Sequence, residues 1–383
     1  MVIQSARIWI AGQFLAAQLV AENGKITGVL PAGTCPVDQD YGDRRILPGF
    51  LDVHTHGAYG FDTNDAQPEG LREWMRRIPE EGVTAILPTT VTQLPEVLTA
   101  ALRNVATVVR EGYEGAEILG VHFEGPYLDM EYKGAQPPEA IAEPSVEQFR
   151  KYQDAAEGLI RCITLAPEHD REYSLIRYCR ENGVVVSLGH SRATYEQALL
   201  AIANGAAGMT HVFNAMSGFH PRNPGLIGAA FRMRDIYGEI ICDGVHSVSS
   251  VLNNFFQAKG RSLAVMVTDS LCVKHCPSGG VFLLGGHEIE VGEDGAARLA
   301  GTDTIAGSTL SMNRGLQILV EEAQVPLDAA INACTINPAR CLRVDDRKGK
   351  ICAGYDGDLT VLDETYSVIQ TYCRGEEQLE RKE

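Results

Sequence analysis

The sequence predicts an α/β protein, a (β/α)8 TIM-like barrel carrying a small β-sandwich domain built from both termini. Three observations carry that expectation. Short apolar runs and helical segments alternate across the middle of the chain, both ends show strands without helical spacing, and metal-competent side chains stand where apolar runs stop.

Taken in order, residues 1–48 read as short strands over Val2–Ile10, Leu15–Ala21 and Lys25–Leu30. Ala11-Gly12 and Asn23-Gly24 separate them as tight turns. The pattern returns near the far end, where Gly354-Tyr355-Asp356-Gly357-Asp358 introduces Leu359–Leu362 and then Tyr366–Tyr372. Neither segment alone buries a sheet face, so the two are expected to pair into one discontinuous domain, residues 1–48 and 346–383. The barrel is then expected over residues 49–345.

Within it, buried parallel strands are predicted at Gly49–His56, Thr84–Thr90, Glu117–Glu124, Leu159–Pro167, Gly183–His190, Gly208–Phe213, Gly238–Cys242 and Leu263–Thr268. Helices are predicted at Glu69–Glu81, Pro95–Gly112, Val146–Glu157, Arg171–Glu181, Tyr195–Ala203 and Val248–Lys259. A β-hairpin is expected as an insertion over residues 279–299, with Thr309–Ala323 and Leu327–Leu342 as the closing helices. Asn337-Pro338-Ala339-Arg340 is read as structural.

The chain has 383 residues, enough for one large barrel and a smaller module. Its formal net charge of -17 disfavours nucleic acid and anionic membranes as partners. Ten scattered cysteines include one close pair, Cys272 and Cys276, with no second pair to complete a zinc knuckle. Met1–Arg7 has no basic start leading into a long apolar segment, and no apolar run reaches membrane-spanning length. The expectation is a cytoplasmic protein with free thiols.

The chemistry concentrates at the strand ends. In an extended strand His54 and His56 project to the same side and can grip one ion together. Glu124, His190, His211 and Asp269 end the third, fifth, sixth and eighth strands, and a barrel brings those ends to one mouth. Taken singly, each could be a cap or a hydrogen-bonded loop residue. Together, a buried carboxylate among histidines is costly without a cation, so a metal site is expected. His122 is a candidate for a supporting role behind the ligands. His246, in Asp243-Gly244-Val245-His246, is placed to stabilise an oxyanion. Arg222 suits a phosphate, and Asn214 a hydroxyl or amide.

These runs resemble the N-acetylglucosamine-6-phosphate deacetylases of the amidohydrolase superfamily over essentially the whole chain. The likeness rests on Leu47-Pro48-Gly49-Phe50-Leu51-Asp52-Val53-His54-Thr55-His56-Gly57, His122-Phe123-Glu124-Gly125-Pro126, Gly189-His190-Ser191, Thr210-His211-Val212-Phe213-Asn214-Ala215-Met216, Asp243-Gly244-Val245-His246, Thr268-Asp269 and Ala306-Gly307-Ser308. The resemblance implies a divalent metal (Zn, Fe, Mn or Co) on Glu124, His190 and His211, with Asp269 as catalytic acid and base. It leaves open a second ion on His54, His56 and Glu124. It implies substrate contacts from Ala135, Asn214, Ala215, Arg222, His246 and the loop Ile305, Ala306, Gly307, Ser308. It also implies a homodimer in which Arg222 reaches the neighbouring subunit's site. Gln136 departs from the histidine that many relatives carry there.

The expected reaction is metal-dependent hydrolysis of N-acetyl-D-glucosamine 6-phosphate to D-glucosamine 6-phosphate and acetate in amino-sugar catabolism. The alternatives are the N-acetylgalactosamine 6-phosphate epimer, another amidohydrolase substrate, or a sugar-phosphate-binding protein whose metal only braces the barrel. No G-x-S-x-G elbow supports a serine hydrolase at Ser308.

Overall fold

The computed structural model describes residues 1–277 and 281–380. Eight parallel strands form its centre: β1 (Phe50–Thr55), β2 (Val83–Pro88), β3 (Glu117–Ile118 and Val121–Glu124), β4 (Ile160–Leu165), β5 (Val185–Leu188), β6 (Gly208–Met209), β7 (Tyr237–Ile241) and β8 (Ala264–Val267). All eight expected strands are present, each within a few residues of its expected limits.

The strands hydrogen-bond as a three-stranded sheet, β1 to the first part of β3, and a six-stranded sheet, the second part of β3 to β8. The break inside β3 falls at Gly120, whose φ is +145°. A Cβ there would sit 2.6 Å from the Leu159 carbonyl oxygen, so only glycine fits. Backbone links join the two sheets on both sides. Thr90 N–H donates to His122 O at 3.0 Å, and Asp269 N–H donates to His54 O at 2.9 Å.

The strands are buried end to end in β1, β2, β5 and β8. Each fully buried Val, Leu, Ile or Phe contributes about 1.5–3 kcal/mol, so these apolar runs hold the frame while polar strand ends are left for chemistry. Helices lay their apolar faces on the strands, as Leu71, Trp74 and Met75 do from Pro68–Arg77.

Several helix limits differ from the expected ones for local reasons. The first helix stops at Arg77 and tightens into a 3-10 turn over Ile78–Glu81, because Pro79 has no N–H to continue it. The segment expected to start at Arg171 begins its α-helix at Ser174, since Glu172 and Tyr173 hold positive φ. The last expected helix divides at Thr335 into Leu327–Cys334 and Ile336–Cys341. Between them and β8, the Asn337 amide donates to the Ala264 carbonyl at 2.8 Å, a structural role as expected. Helix Gly225–Arg232 was not expected, because the prolines before it read as a loop.

The insertion is larger than a hairpin. Phe282–Leu284, His287–Val291, Ala296–Leu299 and Ile305–Ser308 form a four-stranded antiparallel sheet, so Ile305–Ser308 is a strand instead of a loop. The expected start of the insertion at Gly279 lies outside the described residues.

Strands from both ends of the chain share one eight-stranded sheet, joined where Arg45–Pro48 pairs antiparallel with Leu359–Leu362. The last expected strand is shifted to Val368–Cys373. The terminal sheet is continuous, where a sandwich calls for two separate sheets. It bends so that Ile26 N–H, on its edge strand Lys25–Pro31, donates to Tyr355 O at 2.8 Å, over a core that includes Ile3, Leu19, Ile46, Val361 and Tyr372.

Candidate metal centre

Strand alternation sends His54, near the end of β1, and His56, just past it, to the same side. Their Nε2 atoms lie 3.4 Å from Glu124 Oε1 and 3.3 Å from Glu124 Oε2, respectively. Glu124 is the last residue of β3. Gly125 follows with φ +75°, and a Cβ there would come within 1.9 Å of Thr92 Oγ1, so glycine is what lets the chain turn directly behind the carboxylate. His190, His211 and Asp269 follow β5, β6 and β8 with φ of 48°, 26° and 49°. Each left-handed residue costs roughly 1–2 kcal/mol, a strain these strand ends hold in turning the side chains toward Glu124.

His54, His56 and His190 are held from outside, and with His211 they face one another within. His56 Nδ1 donates to Thr89 O at 3.2 Å, and His190 Nδ1 to Tyr132 O at 2.9 Å. His54 Nδ1 meets the Glu239 carboxylate at 2.9 Å. A carbonyl only accepts, so in the neutral ring the inner nitrogen bears a lone pair. Those inner atoms converge. His190 Nε2 is 3.1 Å from His211 Nε2, and both lie near Glu124 Oε1, at 3.4 and 3.2 Å. Asp269 Oδ1 is 3.1 Å from His56 Nε2. His54 Nε2 and His211 Nδ1 are buried with no hydrogen-bond partner.

Lone pairs and carboxylates turned on each other in a buried space fit a divalent cation. Glu124, His190 and His211 form one ligand set, His54, His56 and Glu124 a second, and His54, His211 and Asp269 a third grouping. With protein atoms alone, protons take up the imbalance. Burial opposes charge on His54 and His56, yet the carboxylates outweigh it, lifting His56 to about 9 and His54 well above its ordinary value. Burial likewise opposes charge on Glu124 and Asp269. The histidines nevertheless hold Glu124 well below the carboxylate range and Asp269 at about 2.

His122 stands with His54 and Glu239 close enough to share an ion, but both its ring nitrogens are engaged. Its Nδ1 donates to Val53 O and its Nε2 accepts from Thr164 Oγ1, while burial and the neighbouring His54 push it down to about 4, so it stays neutral. Its ring meets that of His54 edge to face, with the centroids 4.5 Å apart.

The centre opens into a cavity of about 260 Å³. His56, Glu124, His190, His211 and Asp269 line it with the expected contacts Ala135, Asn214, Ala215, His246, Ile305, Ala306 and Gly307. His246 Nδ1 donates to Asp243 Oδ2 at 2.6 Å, which leaves its other nitrogen free. Two expected contacts are not brought in. The Ser308 hydroxyl is buried and donates to Thr268 O, which takes it out of the lining. Arg222 is exposed on the turn with His220, and the lining of this chain does not include it.

Sequence reasoning missed Glu239, although a lone carboxylate inside the apolar run of β7 was a readable signal. It also missed Tyr132, whose carbonyl tethers His190. The Gln136 amide was noted only as a departure, yet it donates to Glu124 Oε2 at 2.8 Å.

A family model described as "Amidohydrolase family" matches residues 45–377. The chain belongs to the amidohydrolase family. Among amidohydrolases it is 40% identical over 338 residues to the N-acetylglucosamine-6-phosphate deacetylase of Bacillus subtilis (strain 168), covering 87% of this chain and 84% of that one. It is 33% identical over 360 residues to the N-acetylgalactosamine-6-phosphate deacetylase of Escherichia coli O157:H7, covering 94% of each. A solved Mycobacterium smegmatis N-acetyl-D-glucosamine-6-phosphate deacetylase, a mutant in complex with N-acetyl-D-glucosamine-6-phosphate, superposes with a TM-score of 0.94 at 31% identity over 99% of both chains.

Proposed function

We propose that this amidohydrolase is an N-acetylglucosamine-6-phosphate deacetylase of amino-sugar catabolism, releasing acetate from N-acetyl-D-glucosamine 6-phosphate. The observation that carries the reading is the convergence of Glu124, His190 and His211 beside Asp269 at the floor of an open cavity. The backbone links on both sides of the parallel sheets support a closed (β/α)8 barrel over residues 49–345. The bent terminal sheet supports a sandwich-like domain from 1–48 and 346–383.

In this reading Glu124, His190 and His211 hold one divalent ion, and His54, His56 and Glu124 hold a second. Nitrogen and oxygen donors of this kind suit Zn, Fe, Mn or Co. Such an ion polarises a carbonyl and lowers the pKa of water from about 15.7 toward 7. Asp269, kept ionised among the histidines, accepts a proton from the attacking water as its oxygen bonds to the acetyl carbonyl carbon. With both ring nitrogens protonated against the Asp243 carboxylate, His246 donates from Nε2 toward the developing oxyanion. When the C–N bond breaks, Asp269 returns the proton to the departing amine. Acetate and the amino-sugar phosphate are the products.

The phosphate needs a cation, and the described cavity lining holds no lysine or arginine. Arg222 of a second copy meets that need, which makes the protein a homodimer. Ten unpaired cysteines, three of them partly accessible and one exposed, suit a reducing cytoplasm. No helix of the described residues is long and apolar enough to cross a membrane.

The Escherichia coli relative favours one second reading, the galactosamine epimer. Acetate release measured on both N-acetylated hexosamine 6-phosphates, with unphosphorylated N-acetylglucosamine as control, separates them. A higher kcat/KM on the glucosamine compound supports the first reading, and a higher value on the galactosamine compound replaces it. Equal rates with and without phosphate remove Arg222 from its role.

A further inference from the structure

Gln136 has both ends of its side chain engaged inside the wall of the cavity. Its Oε1 accepts from the Thr92 backbone N–H at 2.7 Å, and its Nε2 donates to Glu124 Oε2 at 2.8 Å. A backbone N–H can only donate, so the amide has one orientation, with its NH2 toward Glu124. The residue is 7% exposed, which shields both bonds from water.

This contact makes the two oxygens of Glu124 unequal. Oε1 faces His54, His190 and His211 at 3.4, 3.4 and 3.2 Å and receives no amide donor. Oε2 faces His56 at 3.3 Å and already takes the N–H of Gln136. A donated hydrogen draws charge from Oε2 and occupies one of its lone pairs, so an ion using that oxygen competes with a short, charge-assisted bond. An ion on Oε1 has no such competitor, and the same bond holds that oxygen toward His190 and His211.

We infer that Gln136 is a positioning residue that ranks the two halves of the centre, making the half that draws on Oε2 beside His56 a weaker ion site than the half on Oε1 with His190 and His211. The inference rests on the metal-centre reading above and adds an order of filling.

The test is a titration of the metal-stripped full chain with Co2+ alone, followed by calorimetry and visible absorption, in the wild type, Gln136→Met and Gln136→Glu. Gln136→Met removes the donor at similar volume but leaves Thr92 N–H unpaired. Gln136→Glu keeps an acceptor for Thr92 and, as a carboxylate, donates nothing to Glu124. The expected wild type fills two sites in separate steps, or one site only across the range tested. Both variants draw the steps together by roughly tenfold or more, or gain the second site, because outer partners tune ion affinity by 10- to 100-fold. Thermal unfolding checks that both variants are folded, and Gln136→Glu decides if Gln136→Met is not. Two equal sites in the wild type, or a separation unmoved in the folded variants, overturns the role of Gln136. No bound Co2+ in the wild type overturns the metal-centre reading itself.

Discussion

His190 Nε2 and His211 Nε2 face each other at 3.1 Å while His190 Nδ1 already donates to the Tyr132 carbonyl. His190 Nε2 thus carries a lone pair, which either a proton on His211 Nε2 or a cation held with Glu124 must face. His190→Ala is therefore expected to weaken ion binding by more than about 100-fold, since even outer partners account for 10- to 100-fold. Elemental analysis of protein purified with added Zn2+ checks this. An unchanged ion content would remove His190 from the ligand set.

Glu239 acts on the other half. Its carboxylate reaches His54 Nδ1 from β7 and holds the ring with Nε2 toward Glu124 and Asp269. Glu239→Gln is predicted to weaken the second ion by about 10- to 100-fold and leave the first nearly unchanged. The same Co2+ titration reads both affinities, and an equal loss in both steps would contradict the assignment.

Asp269→Asn keeps the side-chain shape and removes the base. Turnover is expected to fall by about 100- to 10,000-fold with the ion content preserved. Normal turnover in that variant would assign the proton transfers to another group.

The shared-site expectation has its own test. Arg222→Ala and Asp269→Asn proteins are each predicted to be nearly inactive on the phosphorylated sugar. Mixing them, with subunit exchange, should restore turnover, because an intact Arg222 then serves an intact Asp269 from across the interface. No recovery, with exchange verified by mass, would place the phosphate contact elsewhere.

Away from the cavity, Asp356 is enclosed by Lys25, Arg347 and Lys348, and the latter two also grip Glu117 at the start of β3. Burial would raise the Asp356 carboxyl, but these cations hold it at about 2. A depressed folded pKa contributes stability that is full above the unfolded value near 3.9 and lost as pH falls toward 2. Asp356→Asn should therefore cost on the order of 2 kcal/mol at pH 7 and little at pH 2. Denaturant unfolding at both pH values measures the difference, and an equal cost at each would show that the charge is not what matters.

The centre was legible because two simple rules place it. Alternation put His54 and His56 on one side, and parallel strands brought Glu124, His190, His211 and Asp269 to one end. What stayed hidden depends on contacts between distant segments. Nothing near Gln136 announces that Thr92 fixes its amide, and the tether from Tyr132 to His190 is a backbone carbonyl that any residue could supply. The split of β3 needed the approach of Leu159 to Gly120. The hydroxyl of Ser308 looked available in sequence, yet the chain turns it back onto the Thr268 carbonyl.

The most direct test of the metal-hydrolase account is acetate release from N-acetylglucosamine 6-phosphate by the full chain, first stripped by chelator and then reloaded with a divalent ion. The account predicts release that vanishes on stripping and returns on reloading. Undiminished release by the stripped protein, or tight sugar-phosphate binding with no acetate after reloading, would contradict it.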